Sequence, residues 1–162
     1  ISKEVEDLRD ELGLPGMKIL QFAWSDPKNP FQPHNYVNNC VAYTGTHDNN
    51  TTVGWWANET NDDTRRKVSE YIAREVDEIH WVMIRLGMAS AAHTFVTPMQ
   101  DILGLGIEGR MNTPGKEQGN WGWRFRSEDL NNPVKDRLAY LTWLYRRRPD
   151  QQEAVYGDVA KQ

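Results

Sequence analysis

Thr46-His47-Asp48-Asn49-Asn50-Thr51-Thr52 sets an imidazole beside a carboxylate, with amides and hydroxyls behind them. A carboxylate in such company can act as acid, base, nucleophile or ligand. The imidazole can donate a hydrogen bond to a substrate hydroxyl. The segment follows Cys40-Val41-Ala42-Tyr43-Thr44, an apolar run that reads as a buried strand. The carboxyl end of a strand is where an α/β barrel gathers its reactive groups. The competing structural reading is an Asx-type turn in which Asp48 caps the strand end.

Other chemistries are poorly supported. Two-metal hydrolases also use His–Asp pairs, but they need several more ligands. The four histidines, His34, His47, His80 and His93, include no pair at zinc-ligand spacing, so no metal and no cofactor are expected. Gly104-Leu105-Gly106-Ile107-Glu108-Gly109 is a weak dinucleotide fingerprint, because neither a clean strand before it nor a long helix after it is visible. Arg110-Met111-Asn112-Thr113-Pro114-Gly115 and Gly119-Asn120-Trp121-Gly122-Trp123-Arg124 are more telling. They bring amide, guanidinium and indole groups together on loops. Such groups suit a hydroxyl-rich ligand. Of the seven tryptophans, Trp81 and Trp143 fall in helical patterns and are expected to pack. Trp24, Trp55, Trp56, Trp121 and Trp123 fall in or beside predicted loops, where exposed rings can stack on sugar rings or bases, or anchor an interface.

The elements that must position these groups follow from periodicity. Ile1, Val5, Leu8 and Leu12 form one helical stripe, closed by Gly13. Residues 17–23 read as a strand, and 25–39, with three prolines, as a long loop. After the His–Asp loop, Asn61-Asp62-Asp63 signals a helix start. Val68, Ile72, Val76, Ile79, Met83 and Leu86 predict one long amphipathic helix ending at Gly87. Ala91 to Val96 reads as a third strand. Strand, helix and strand make a βαβ unit, which implies parallel pairing. Residues 97–131 are rich in Gly, Pro and Asn. Asn132-Pro133 then opens a last helix with Val134, Leu138, Leu141 and Tyr145 inward, and Arg146-Arg147-Arg148 complements its carboxyl end. Three strands with helices in one outer layer favour a barrel segment over a complete open sheet.

Composition narrows the partners. The chain has 162 residues, a net charge of −4 and no basic face, which argues against nucleic acid. No apolar run approaches the ~20 residues of a membrane span, so no membrane association is expected. The single cysteine, Cys40, sits in the apolar run and reads as a core residue in a reducing, cytoplasmic setting. The chain opens at Ile1 already inside a helical pattern, which reads as part of something longer.

Several runs in order resemble the 4-α-glucanotransferases, the amylomaltase or disproportionating-enzyme family. They are Leu14-Pro15-Gly16-Met17-Lys18-Ile19-Leu20-Gln21-Phe22-Ala23, Pro33-His34-Asn35-Tyr36, Tyr43-Thr44-Gly45-Thr46-His47-Asp48-Asn49, Gln100-Asp101-Ile102-Leu103-Gly104-Leu105-Gly106, Arg110 to Gly115, and Asn120 to Arg124. The resemblance implies glycoside hydrolase family 77, an α/β fold of the (β/α)8 TIM-barrel type in the α-amylase clan. It also implies retaining transfer of a 1,4-α-glucan stretch to a new acceptor. By this likeness residues 1–162 are the carboxyl-terminal portion of the catalytic barrel, about strands six to eight with their helices. Asp48 matches the third catalytic carboxylate, and His47 and Asn112 match groups that bind the sugar. Phe22 and Trp24 match, loosely, residues that shape the glucan groove. Asn50 stands where Asp is common.

Retaining chemistry needs a nucleophile and an acid/base carboxylate about 5–5.5 Å apart. The family's motifs for both are not found in these residues, so the chain alone is expected to be inactive. Its expected partners are α-1,4-glucan, malto-oligosaccharides, and either the amino-terminal part of the barrel or a second copy. A second reading is a non-catalytic α-glucan-binding module that uses Trp55, Trp56, Trp121 and Asn112.

Overall fold

Each of the three expected strands forms, but each is shorter than its apolar run. In the computed structural model, which describes residues 2–148, β1 spans Gly16–Ile19, β2 Cys40–Tyr43 and β3 Thr94–Val96. They pair in parallel in the order β1-β2-β3. The register aligns Lys18 with Ala42 and Phe95, and Met17 with Val41 and Thr94. Alternation along the strands then gives the sheet two different faces. Cys40, Ala42 and Phe95 meet the apolar core, which also holds Leu20, Trp55, Val68, Ile79 and Met83. On the opposite face Met17, Thr94 and Val96 are exposed, and Val41 and Tyr43 are half-buried.

The shortening has local causes. Beyond Ile19 the chain coils into a single 3-10 turn, Leu20–Phe22, which buries Leu20 and Gln21. The Gln21 amide then donates to the Asn50 carbonyl at 2.9 Å, a bond that a continuing strand would not allow. Before β3, the His93 amide donates to the Asn38 carbonyl, and the Asn38 side chain to the Ala91 carbonyl. Residues 91–93 are thereby tied to a loop and not to the ladder.

Helix α1, Lys3–Glu11, forms as its spacing predicts and ends before Gly13, whose φ is +65°. Its apolar stripe does not pack: Val5, Leu8 and Leu12 are all more than half exposed. Ile1 lies outside the described residues. Helix α2, Thr52–Asn58, was not expected. Thr51 caps it by accepting from the Gly54 amide, and the helix carries Trp55 into the core.

The single long helix expected from residue 61 is two. Asn61 caps α3, Asp62–Ile72, and α4 spans Ile79–Ala89. Between them Ala73 adopts the left-handed conformation, φ 56°, and the amides of Ala73 and Arg74 close back on Glu70 and Ser69. This is a Schellman-type ending made with Ala in place of Gly. The apolar period runs through the break, so spacing alone could not reveal it. Gly87 lies inside α4, not at its end, because the Phe95 ring fills the space a Cβ would need.

The loop after β3 contains only a short helix, α5, Met99–Ile102, and isolated 3-10 turns. The chain divides into two compact units, residues 1–125 and 126–162. In the second, α6 spans Asn132–Leu144 with Pro133 in its first turn, and the cap is the Asn131 side chain, not Asn132. Leu141 is buried, and Val134, Leu138 and Tyr145 are half-buried, as the spacing predicted. Arg148 reaches back to the Ala139 carbonyl within the helix at 3.4 Å. Among the described residues no helix is long and apolar enough to cross a membrane.

Candidate active site

The loop after β2 is built by Asn49. Its Oδ1 accepts from the Thr46 amide at 2.9 Å and from the Thr46 hydroxyl at 2.8 Å, and its own amide closes onto the Thr46 carbonyl. The expected Asx-type turn on Asp48 does not form: Asn49 closes the turn by reaching back to Thr46, whose hydroxyl accepts from the Asp48 amide at 3.3 Å. Asp48 is spared that task. Its side chain is 52% exposed, and its Oδ1 lies 3.4 Å from His47 Nε2. The same oxygen accepts from Asn112 Nδ2 at 2.6 Å.

A second loop is laced to the first. The Asn112 amide donates to the His47 carbonyl at 3.1 Å. Arg110 donates from Nη2 to the Asp48 carbonyl and from Nε to the Asn112 carbonyl, each at 2.9 Å. Its Nη1 stands 3.5 Å from Glu59. Trp121 donates its amide to the Met111 carbonyl and sets its ring 5.1 Å from that of His47. Trp121 does so with a φ of 63°, sterically costly for a residue with a Cβ. Arg124 Nη1, bonded to the Trp121 carbonyl, helps to hold it there. One imidazole, one carboxylate, one amide and one indole thus converge where β2 ends. A cleft of about 420 Å³ opens beside them, with His47, Arg110, Tyr43, Val96 and Thr97 in its wall.

Such a group can grip a polyol. A carboxylate and an amide offer acceptors and donors to neighbouring hydroxyls, and an exposed indole offers a flat apolar face. The exposed carboxylate can also stabilise positive charge that develops on a bound sugar.

Not every expected residue joins this group. Phe22 is exposed and packs edge-on against Phe31, 5.9 Å away. Trp24 is only 4% exposed and meets Tyr71 edge-on in the core. Among the described residues no ring contact or hydrogen bond links either to Asp48 or Asn112. The binding-module reading loses two of its rings. Trp55 is buried, and Trp56 is half-buried with the Arg65 guanidinium 5.5 Å over its ring. Both lie in α2 because the unexpected helix turned this stretch inward. Among the described residues no three His, Cys, Asp or Glu side chains cluster as metal ligands.

Arg110, expected to face a ligand, is instead used to lace the two loops together. One residue to which the sequence assigns no role also matters here: Asp101, the acidic residue of α5, which is 1% exposed. It accepts from the Thr44 hydroxyl at 2.5 Å, the Thr52 amide at 2.7 Å and the Thr52 hydroxyl at 2.9 Å. Burial pushes its carboxyl above the ordinary value, against the pull of these three donors and of His80. Its signal in the sequence was a lone carboxylate beside the apolar pair Ile102-Leu103.

The family model for 4-alpha-glucanotransferase matches residues 1–131. The chain belongs to glycoside hydrolase family 77. It is 52% identical over 151 residues to the 4-alpha-glucanotransferase of Synechocystis sp. and 49% identical over 150 residues to that of Thermus thermophilus. These alignments cover 91% and 87% of this chain, but 30% of each relative. Among solved structures, amylomaltase from Streptococcus agalactiae in complex with acarbose superposes with a TM-score of 0.84 at 38% identity, over 90% of this chain and 30% of that one. Amylomaltase from Corynebacterium glutamicum, at 16% identity and a TM-score of 0.64 over 88% of this chain and 27% of that one, shares the fold. This family 77 chain thus spans about 30% of the length of the curated relatives it matches.

Proposed function

We propose that this chain is the carboxyl-terminal portion of a 4-α-glucanotransferase barrel, about strands six to eight. β1, β2 and β3 are those strands, and Asp48 is the third carboxylate of a retaining site. The nucleophile and the acid/base carboxylate come from residues outside these 162, so the segment alone does not turn over. The substrate is an α-1,4-glucan or a malto-oligosaccharide, in a reducing, cytoplasmic setting.

One observation carries this reading. Asp48 stands exposed at the carboxyl end of β2, freed from turn duty by Asn49 and bonded to Asn112 at 2.6 Å. A carboxylate held but not consumed by the fold can answer charge that appears on the sugar at the transition state. His47 and Asn112 supply hydrogen bonds to sugar hydroxyls on either side of it. Trp121 offers an exposed ring against His47, whereas Phe22 packs on Phe31 and Trp24 in the core, away from this group.

The test uses the complete polypeptide that carries this segment, with maltotriose disproportionation as the assay. Asp48→Asn lowers kcat by about 10²-fold or more and changes KM by much less, because an interaction made at the transition state acts on rate. Unchanged turnover removes Asp48 from the site.

A further inference from the structure

The loop that carries His47 and Asp48 begins after Thr44 and ends before Thr52. One carboxylate from a third element meets both ends. Asp101 Oδ2 accepts from Thr44 Oγ1 at 2.5 Å and from Thr52 Oγ1 at 2.9 Å, while Oδ1 accepts from the Thr52 amide at 2.7 Å. All three residues are buried almost completely. Thr44 Oγ1 also meets Thr97 Oγ1 at 3.2 Å, which ties the end of β3 into the same knot.

We infer that Asp101 is a positioning residue for Asp48, a role that rests on the reading of Asp48 given above. Asp101 touches no substrate. It closes the base of the loop, so the distance between the loop's two stems is set by one side chain. Gln21 braces the same loop from β1's side through the Asn50 carbonyl. Inside this frame Asn49 makes the turn, and Asp48 projects at a defined angle. Reacting groups displaced by about 1 Å can lose about 10²-fold in rate, so the frame's dimensions matter to turnover.

The chemistry of the knot explains why a carboxylate stands there. Each of the three groups that meet this carboxylate donates, and two hydroxyls converge on one oxygen. Asn at this position keeps the acceptor for the Thr52 amide. It places N–H groups where both hydroxyls now donate, so they must turn round and move apart. The loop's stems then do not stay in place.

Stability and positioning separate cleanly. Burial raises the Asp101 carboxyl above its unfolded value. Its contribution is therefore full below the ordinary carboxylate range and declines as pH rises through the raised value. Asp101→Asn removes that pH dependence of stability, a readout separate from kcat.

The experiment uses the complete polypeptide and maltotriose. Asp101→Asn and Thr52→Val are expected to lower kcat by about 10- to 100-fold with little change in KM. Thr52→Ser, which keeps the hydroxyl, restores most of what Thr52→Val loses. In an Asp48→Asn background, Asp101→Asn adds less than about twofold, because its effect passes through Asp48. The inference is overturned by an Asp101→Asn enzyme with parental kcat, by losses that multiply in full in the Asp48→Asn background, or by a kcat loss that merely follows a fall in melting temperature. If Asp101→Asn does not fold, the Thr52 pair carries the same test. If Asp48→Asn itself retains turnover, the reading of Asp48 fails and this inference falls with it. If Asp48→Asn is crippled and Asp101→Asn is not, only this inference fails.

Discussion

Asn50 shows how one residue type answers its neighbours. It is nearly fully buried, and its Nδ2 donates to Glu59 Oε1 at 2.9 Å. Glu59 in turn lies beside Arg110, the side chain that laces the two loops together. An amide suits this position because it offers a donor to a carboxylate. Aspartate, common at this position by the family likeness, would set two carboxylates face to face. Asn50→Asp is expected to destabilise the chain by about 1–3 kcal/mol, measured by chemical denaturation at neutral pH. The added change Glu59→Gln recovers part of that loss. An Asn50→Asp chain as stable as its parent would show that the Glu59 contact is not maintained in solution. The division of labour between Asn49 and Asp48 belongs to the same scale. Adjacent side chains of similar shape differ in charge, and the neutral one makes the turn.

At the scale of elements, the close approach of α4 to β3 depends on Gly87. A Cβ there would fall within the Phe95 ring. Helix propensity alone predicts that Gly87→Ala stabilises an exposed helix by about 1 kcal/mol. Packing predicts the reverse, a loss of roughly 1–3 kcal/mol from overfilling. The sign of the change in unfolding free energy decides between them, and we expect packing to win. The sequence reading took Gly87 as a helix stop because glycine commonly is one. Ala73, which does end a helix, carried no such mark. Both departures have one cause: neighbours distant in the chain decide how much room a backbone has. By contrast, the caps at Asn61, Asn131 and Thr51 are local, and the first was legible as Asn-Asp-Asp.

At the scale of the molecule, the sheet has one covered face and one open one. Met17 and Val96 are exposed on the open side, and among the described residues the outer edges of β1 and β3 have no strand partner. The stripe Val5, Leu8 and Leu12 on α1 is exposed as well. Unpaired edges and apolar faces recruit other chains. The isolated chain is therefore expected to self-associate, or to bind the rest of a barrel supplied separately. Sedimentation velocity over a range of concentrations should show a rising average mass, and Val96→Lys should reduce it. A compact monomer at high concentration would count against this expectation.

The sequence by itself determined the strands, the capped helix start at Asn61, the placing of a His–Asp pair after a buried strand, and the family. These follow from spacing, from side chains that bond a few residues away, and from motifs read in order. Only the tertiary structure decided which aromatic rings are free. Trp121 faces solvent beside His47, while Trp24 and Trp55 are spent on the core. It also decided that Asp101 closes the loop from below. Those outcomes depend on burial and on contacts across some fifty residues of chain. No periodicity within one element encodes such contacts, because each is set by where a different element comes to rest.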